Sequence, residues 1–154
     1  MSISYISNTN NNKFSKPRPD GAIPNKIVIT YSSCEGEIYK AINTLYDKGA
    51  SVHYTIRQDG WQDQHHSEDK MAFYAGKSSW KGENSLNNNS IGIMLINDAQ
   101  SEFPEAQINQ LIACIKDINS RYGYEMEVLG LGEVALDRHI APGHLFPWQK
   151  LAEA

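Results

Sequence analysis

The chain has 154 residues, 40% hydrophobic and 21% charged, with a formal net charge of −4. That length suits one domain with its own core, and the acidic balance lacks the basic footprint that nucleic-acid binding needs. The longest apolar run, Ile91–Ile96, is interrupted by Gly92 and far too short to span a bilayer, so no membrane role is expected.

The opening MSISYISNTNNNKF has no basic stretch followed by an apolar one, so it does not read as a secretory signal. A cytoplasmic protein is the default expectation, with signal-independent export as the alternative. Residues 1–25 read as an irregular lead-in, rich in Asn from Asn8 to Asn12 and punctuated by Pro17, Pro19, Gly21 and Pro24. The β-branched run Lys26–Tyr31 predicts a strand. Ser32 and Glu35 are spaced as a capping box. Behind them Ile38, Ala41, Ile42 and Leu45 recur at helical spacing up to a stop at Gly49. Val52–Arg57 and Trp61–Gln64 read as a hairpin turning at Asp59-Gly60.

Gly76–Asn89, with four Asn, three Ser and two Gly, reads as a loop, and Ser90–Asn97 as a core strand. Pro104 opens a long helix whose stripe is Ile108, Leu111, Ile112, Ile115 and Ile118, ending near Tyr122. A short strand, Glu127–Gly130, then a turn-rich loop and a short helix over Pro147–Ala154 complete the chain. The alternation of strands and helices predicts a single α/β domain, a central mixed sheet flanked by helices, over 26–154. Cys34 and Cys114 make no disulfide framework. Cys114 reads as a core thiol on a helix and Cys34 as a loop or helix-start residue.

Several segments taken together resemble the zinc amidase family of N-acetylmuramoyl-L-alanine amidases and peptidoglycan recognition proteins. They are IVITY (27–31), SVHYTIRQDG (51–60), AFYAGKSSWKGENSLNNNSIGI (72–93), FPEAQINQLIACIKDI (103–118) and PGHLFPW (142–148). The resemblance runs from about Lys26 to Trp148, in order. It implies zinc ligands at Thr30, Leu131 and Ala141, a catalytic Glu at Met94 and a catalytic Lys at His139. All five positions are changed.

Zinc is held by thiolate, imidazole or carboxylate, so Thr30, Leu131 and Ala141 predict a chain without zinc. Without Glu or Lys at Met94 and His139, the groups that would deprotonate water and stabilise an oxyanion are also missing. The expectation is a catalytically inactive pseudoenzyme with no cofactor, bound to a muropeptide, a peptidoglycan fragment or a protein partner. An amidase with a rebuilt metal site is the alternative, drawing on His139 or His144, which flank the Ala141-Pro142-Gly143 turn. Altered chemistry through a Cys34–His53 pair is another, and an inhibitor-like or effector-like interaction scaffold a third. His53 matches a non-ligand position of the resembling strand, and adjacent His65 and His66 would face opposite sides of an extended chain. For ligand binding the expected residues are Trp80, stacking on a sugar, with Asn87, Arg138 and His139 on peptide groups.

Overall fold

The computed structural model describes residues 3–5, 14–32, 38–98, 100–135 and 141–154, the first of these as backbone only. At its centre, two β-branched runs lie side by side. Strand β3 (Lys26–Tyr31) pairs in parallel with β9 (Ser90–Leu95), matching Ile27 with Ile91, Ile29 with Ile93 and Thr30 with Met94. Both strands are covered on both faces, which is why they read as nearly unbroken apolar sequence rather than as an alternation. Strands β4 (Tyr54–Ile56) and β10 (Glu127–Gly130) flank them in parallel, and β5 (Gln62–Gln64) runs antiparallel to β4. With β1 (Ile3–Tyr5) on the outside, the order is β1-β5-β4-β9-β3-β10.

Helix α1 (Ile38–Asp47) buries Ile38, Ala41 and Ile42 against Val28, Val52, Met94 and Leu131 on one face. Helix α2 (Glu105–Tyr122) covers the other face, where Ile108, Leu111, Ile115 and Ile118 meet Ile27, Ile29, Ile91 and Ile93. Pro104 stands just before α2 as its cap, and Gly123 closes it at φ 79 with its N–H on the Asn119 carbonyl. The predicted α/β domain, hairpin, core strand and long helix are all present. The Ser32–Glu35 box involves Glu35, which lies outside the described residues.

Two segments differ from the reading of the sequence. The loop 76–89 contains a tight hairpin, β7 (Ser79–Trp80) and β8 (Glu83–Asn84), turning through Lys81 at φ 48 and Gly82 at φ 85. Two successive positive φ values give the turn whose twist suits a two-residue hairpin. The lead-in is also ordered into strands: β1 joins the main sheet, and β2 (Ser15–Pro17) pairs antiparallel with β6 (Lys70–Ala72). Next to β2, Arg18 is 7% exposed, and its guanidinium donates to the carbonyls of Glu68, Asn87, Asn88 and Ser90 at 2.8–3.1 Å. Burial lowers its pKa, and the four carbonyls supply the partners that a buried guanidinium requires. The remaining elements are the short helices α3 (Leu131–Val134) and α4 (Trp148–Ala152).

Candidate functional site

The chain leaves the carboxyl ends of the adjacent strands β3 and β9 toward helices on opposite faces, the place where open α/β sheets form a crevice. A cavity of about 250 Å³ lies there on the α1 side. Strand alternation turns Thr30 and its partner Met94 toward it. Leu131, the first residue of α3, and Ala141 reach it from the late loop, tied together by the Gly132 N–H on the Ala141 carbonyl at 2.8 Å. Gly130 allows this approach, because a Cβ there would meet the Pro142 ring at 2.7 Å. Val52, Tyr74 and the α1 residues Ala41, Thr44, Leu45 and Lys48 contribute further walls.

The floor is carbon with one hydroxyl. Met94, Leu131, Ala141 and Val52 are buried, and Thr30 Oγ1 has no hydrogen-bond partner among the described residues. Tyr74 turns its hydroxyl away to Ser90 Oγ and lays its ring over Gly92, where a Cβ would stand 2.5 Å from the ring. The Ser32 hydroxyl is held by Asn97, donating to its carbonyl and accepting from its N–H. Of the five positions singled out through the resemblance, Thr30, Met94, Leu131 and Ala141 therefore line one cavity. The fifth, His139, and the expected ligand-binding residue Arg138 lie outside the described residues.

Trp80 sits half-buried on the α1-side core, its indole N–H donating to Glu127 at 2.9 Å and the Lys81 ammonium 5.6 Å over its ring. The Asn87 side chain is buried, and its Oδ1 accepts from the N–H groups of Tyr74 and Ala75, which fixes the loop to the sheet. A second cavity of about 620 Å³ lies between the base of the Trp80 hairpin and α3, lined by Lys77, Ser79, Asn84, Ser85 and Glu133. Helix α3 gives Leu131 to the first cavity and Glu133 and Val134 to the second.

The histidines divide by burial. His53 accepts from the Gly92 N–H at Nδ1 and donates from Nε2 to the Lys70 carbonyl at 2.7 Å, so both ring nitrogens are engaged. His65 Nε2 pairs with the Thr55 hydroxyl and His66 Nε2 with Tyr46. Burial drives all three rings down to about 4. His144 is exposed. Cys114 is a buried helix thiol, as read from the sequence, and burial pushes it up to about 12. Cys34 lies outside the described residues, and His53 has no nitrogen free to act as its base.

The described floor does not fit a zinc ion. Thr30 offers a neutral hydroxyl, and Leu131 and Ala141 offer no donor atom in their side chains. Among the described residues no group of three His, Cys, Asp or Glu side chains could hold a metal. Reading the sequence missed Lys48, which looks like a solvated helix end, and Tyr74, whose place depends on the glycine beneath it.

A family profile described as N-acetylmuramoyl-L-alanine amidase matches residues 19–144. A Rickettsia conorii protein provisionally named an N-acetylmuramoyl-L-alanine amidase, RC0497, is 50% identical over 97% of this chain. A crystal structure of AmpD superposes with a TM-score of 0.85, at 26% identity, covering 98% of this chain and 93% of that one. Escherichia coli AmiD, solved with the substrate anhydro-N-acetylmuramic acid-L-Ala-D-γ-Glu-L-Lys, gives 0.76 at 33% identity over 90% of this chain. The chain spans 59% of the Rickettsia protein and 60% of the AmiD chain.

These relatives overturn the expectation of a pseudoenzyme without zinc. They are named as amidases, and their family points to zinc. The expectation failed in extending a property of the pocket floor to the whole protein. Five side chains of metal-binding type, Cys34, Glu35, Glu37, Asp137 and His139, flank the floor residues in sequence and lie outside the described segments. No helix among the described residues is long and apolar enough to cross a membrane.

Proposed function

The chain belongs to the N-acetylmuramoyl-L-alanine amidase family, and from that membership we propose that it acts on muropeptides, cleaving the amide bond between the muramic acid and its peptide. The observation that carries this reading is the convergence of Thr30, Met94, Leu131 and Ala141, from three separate parts of the chain, on one cavity at the carboxyl ends of β3 and β9. Residues that the resemblance aligns with the family's site lie together around one cavity, and this supports placing the ligand there.

The two cavities suit the two halves of such a ligand. Hydroxyl and amide groups of Ser79, Asn84 and Ser85 around the second cavity match the hydroxyls and N-acetyl group of a sugar. Trp80 stands at the edge of this hairpin and orients it through Glu127. The first cavity, with α1 along its side, is left for the peptide. The substrate seen with AmiD has this composition, a muramic sugar joined to a short peptide.

The test is to incubate the full chain with anhydro-N-acetylmuramoyl tripeptide, with and without added zinc, and to follow peptide release by mass spectrometry beside a calorimetric titration. Release of free peptide is the expected outcome. Saturable binding without release would keep recognition and remove the reaction, and the absence of both would remove the reading.

A further inference from the structure

The first cavity combines three features that the amide chemistry does not account for. Its floor is largely carbon: Val52, Met94, Leu131 and Ala141 are each at most 3% exposed and only the Thr30 hydroxyl interrupts them. Its volume of about 250 Å³ exceeds the roughly 150 Å³ of an apolar cavity that accepts benzene, so about six to ten non-hydrogen atoms fit. A cation also stands in its wall. Lys48, exposed just after α1, lines the cavity and forms no ion pair with any described residue.

We propose that this cavity binds small carboxylates bearing a hydrocarbon tail, with the tail on Met94, Leu131 and Ala141 and the carboxylate on the Lys48 ammonium. The inference rests on the reading of this cavity as the ligand site and names the chemistry its floor selects. Burial of carbon supplies the affinity, roughly in proportion to the area removed from water. Lys48 supplies the sign of the charge, and its exposure keeps that contribution modest.

The experiment titrates the full chain with hexanoate, hexan-1-ol and hexylammonium, three probes with one tail and different heads. Hexanoate is expected to bind best and hexylammonium worst. Lys48→Gln should weaken hexanoate about three- to fivefold and abolish the preference over hexan-1-ol. Ala141→Leu fills the cavity and should abolish binding of all three. Because that change lies in the interior, circular dichroism is read alongside, and the Lys48→Gln comparison stands whether or not Ala141→Leu folds. Binding with no preference by head group, or unchanged in Lys48→Gln, would overturn the inference, as would no binding at millimolar hexanoate.

Competition separates this inference from the broader function. If the muropeptide binds and hexanoate neither binds nor competes, the cavity assignment falls and the muropeptide reading stands. If hexanoate binds with the expected preference and the muropeptide does not bind, the reverse holds.

Discussion

On the face of the sheet covered by α2, Ile27, Ile29, Ile91 and Ile93 meet Ile108, Leu111 and Ile118, and none of these side chains is more than 1% exposed. On the face covered by α1, the same two strands present Val28, Thr30 and Met94 beneath a helix that stands over a cavity. Among the described residues α2 spans 18 and α1 spans 10. Helix α2 closes its side with carbon, and a cavity remains on the α1 side at the strand ends. Because side chains alternate along a strand, one residue's shift in position decides which face it serves. Ile29 packs against α2, and Thr30 faces the cavity.

Acidification offers the largest test of this division, because two of the buried imidazoles belong to the α1 side. His53 packs edge-on to Tyr74 and His66 to Tyr46. With His65 they are held at about 4 by burial, against an ordinary value near 6.5. The unfolded chain therefore binds more protons between those values. The stability they confer is fully present above about pH 6.5 and is lost as pH falls toward 4. His53 alone accounts for on the order of 3 kcal/mol. Urea midpoints at pH 7 and pH 4.5 should show the fall, and His53→Gln should flatten it relative to its own value at pH 7.

Ile93→Ala, on the packed face, should cost about 3–4 kcal/mol, since it opens a void between β9 and α2. Chemical denaturation at pH 7 measures this, and a cost below that of a surface change would erase the contrast between the faces. Gly92→Ala should cost about 1–3 kcal/mol by pushing the Tyr74 ring out of its seat, read as a fall in melting temperature. Thr30→Val should change stability by less than about 0.5 kcal/mol, because the hydroxyl has no partner to lose among the described residues. A large loss there would show that the α1 side is as tightly specified as the α2 side.

What the sequence revealed follows the same division. The stripe Ile108, Leu111, Ile115 and Ile118 and the runs in β3 and β9 carry their periodicity locally, so their elements were legible. Strand β10 was readable over Glu127–Gly130 for the same reason. The lead-in strands were not, because β1 and β2 are defined by partners about 55–60 residues away, at Gln62–Gln64 and Lys70–Ala72. Thr30, Met94, Leu131 and Ala141 could be grouped only through a resemblance, since nothing in their chemistry marks a site. Lys48 and Tyr74 were missed because a lysine at a helix end and a tyrosine in a loop acquire meaning only from what lies across the cavity. The inactivity read from the floor did not survive comparison with relatives named as amidases.

Arg18 sets how far the N-terminal side of this chain can be trimmed. Its guanidinium reaches Glu68, Asn87, Asn88 and Ser90, residues 50 to 72 positions downstream, and so fastens the edge of the β6 strand to the entrance of β9. A fragment beginning at Lys26, where the apolar pattern starts, would leave four inward-facing carbonyls without their donor. The smallest portable unit, whether moved by recombination or by an experimenter's primers, begins upstream of Ser15.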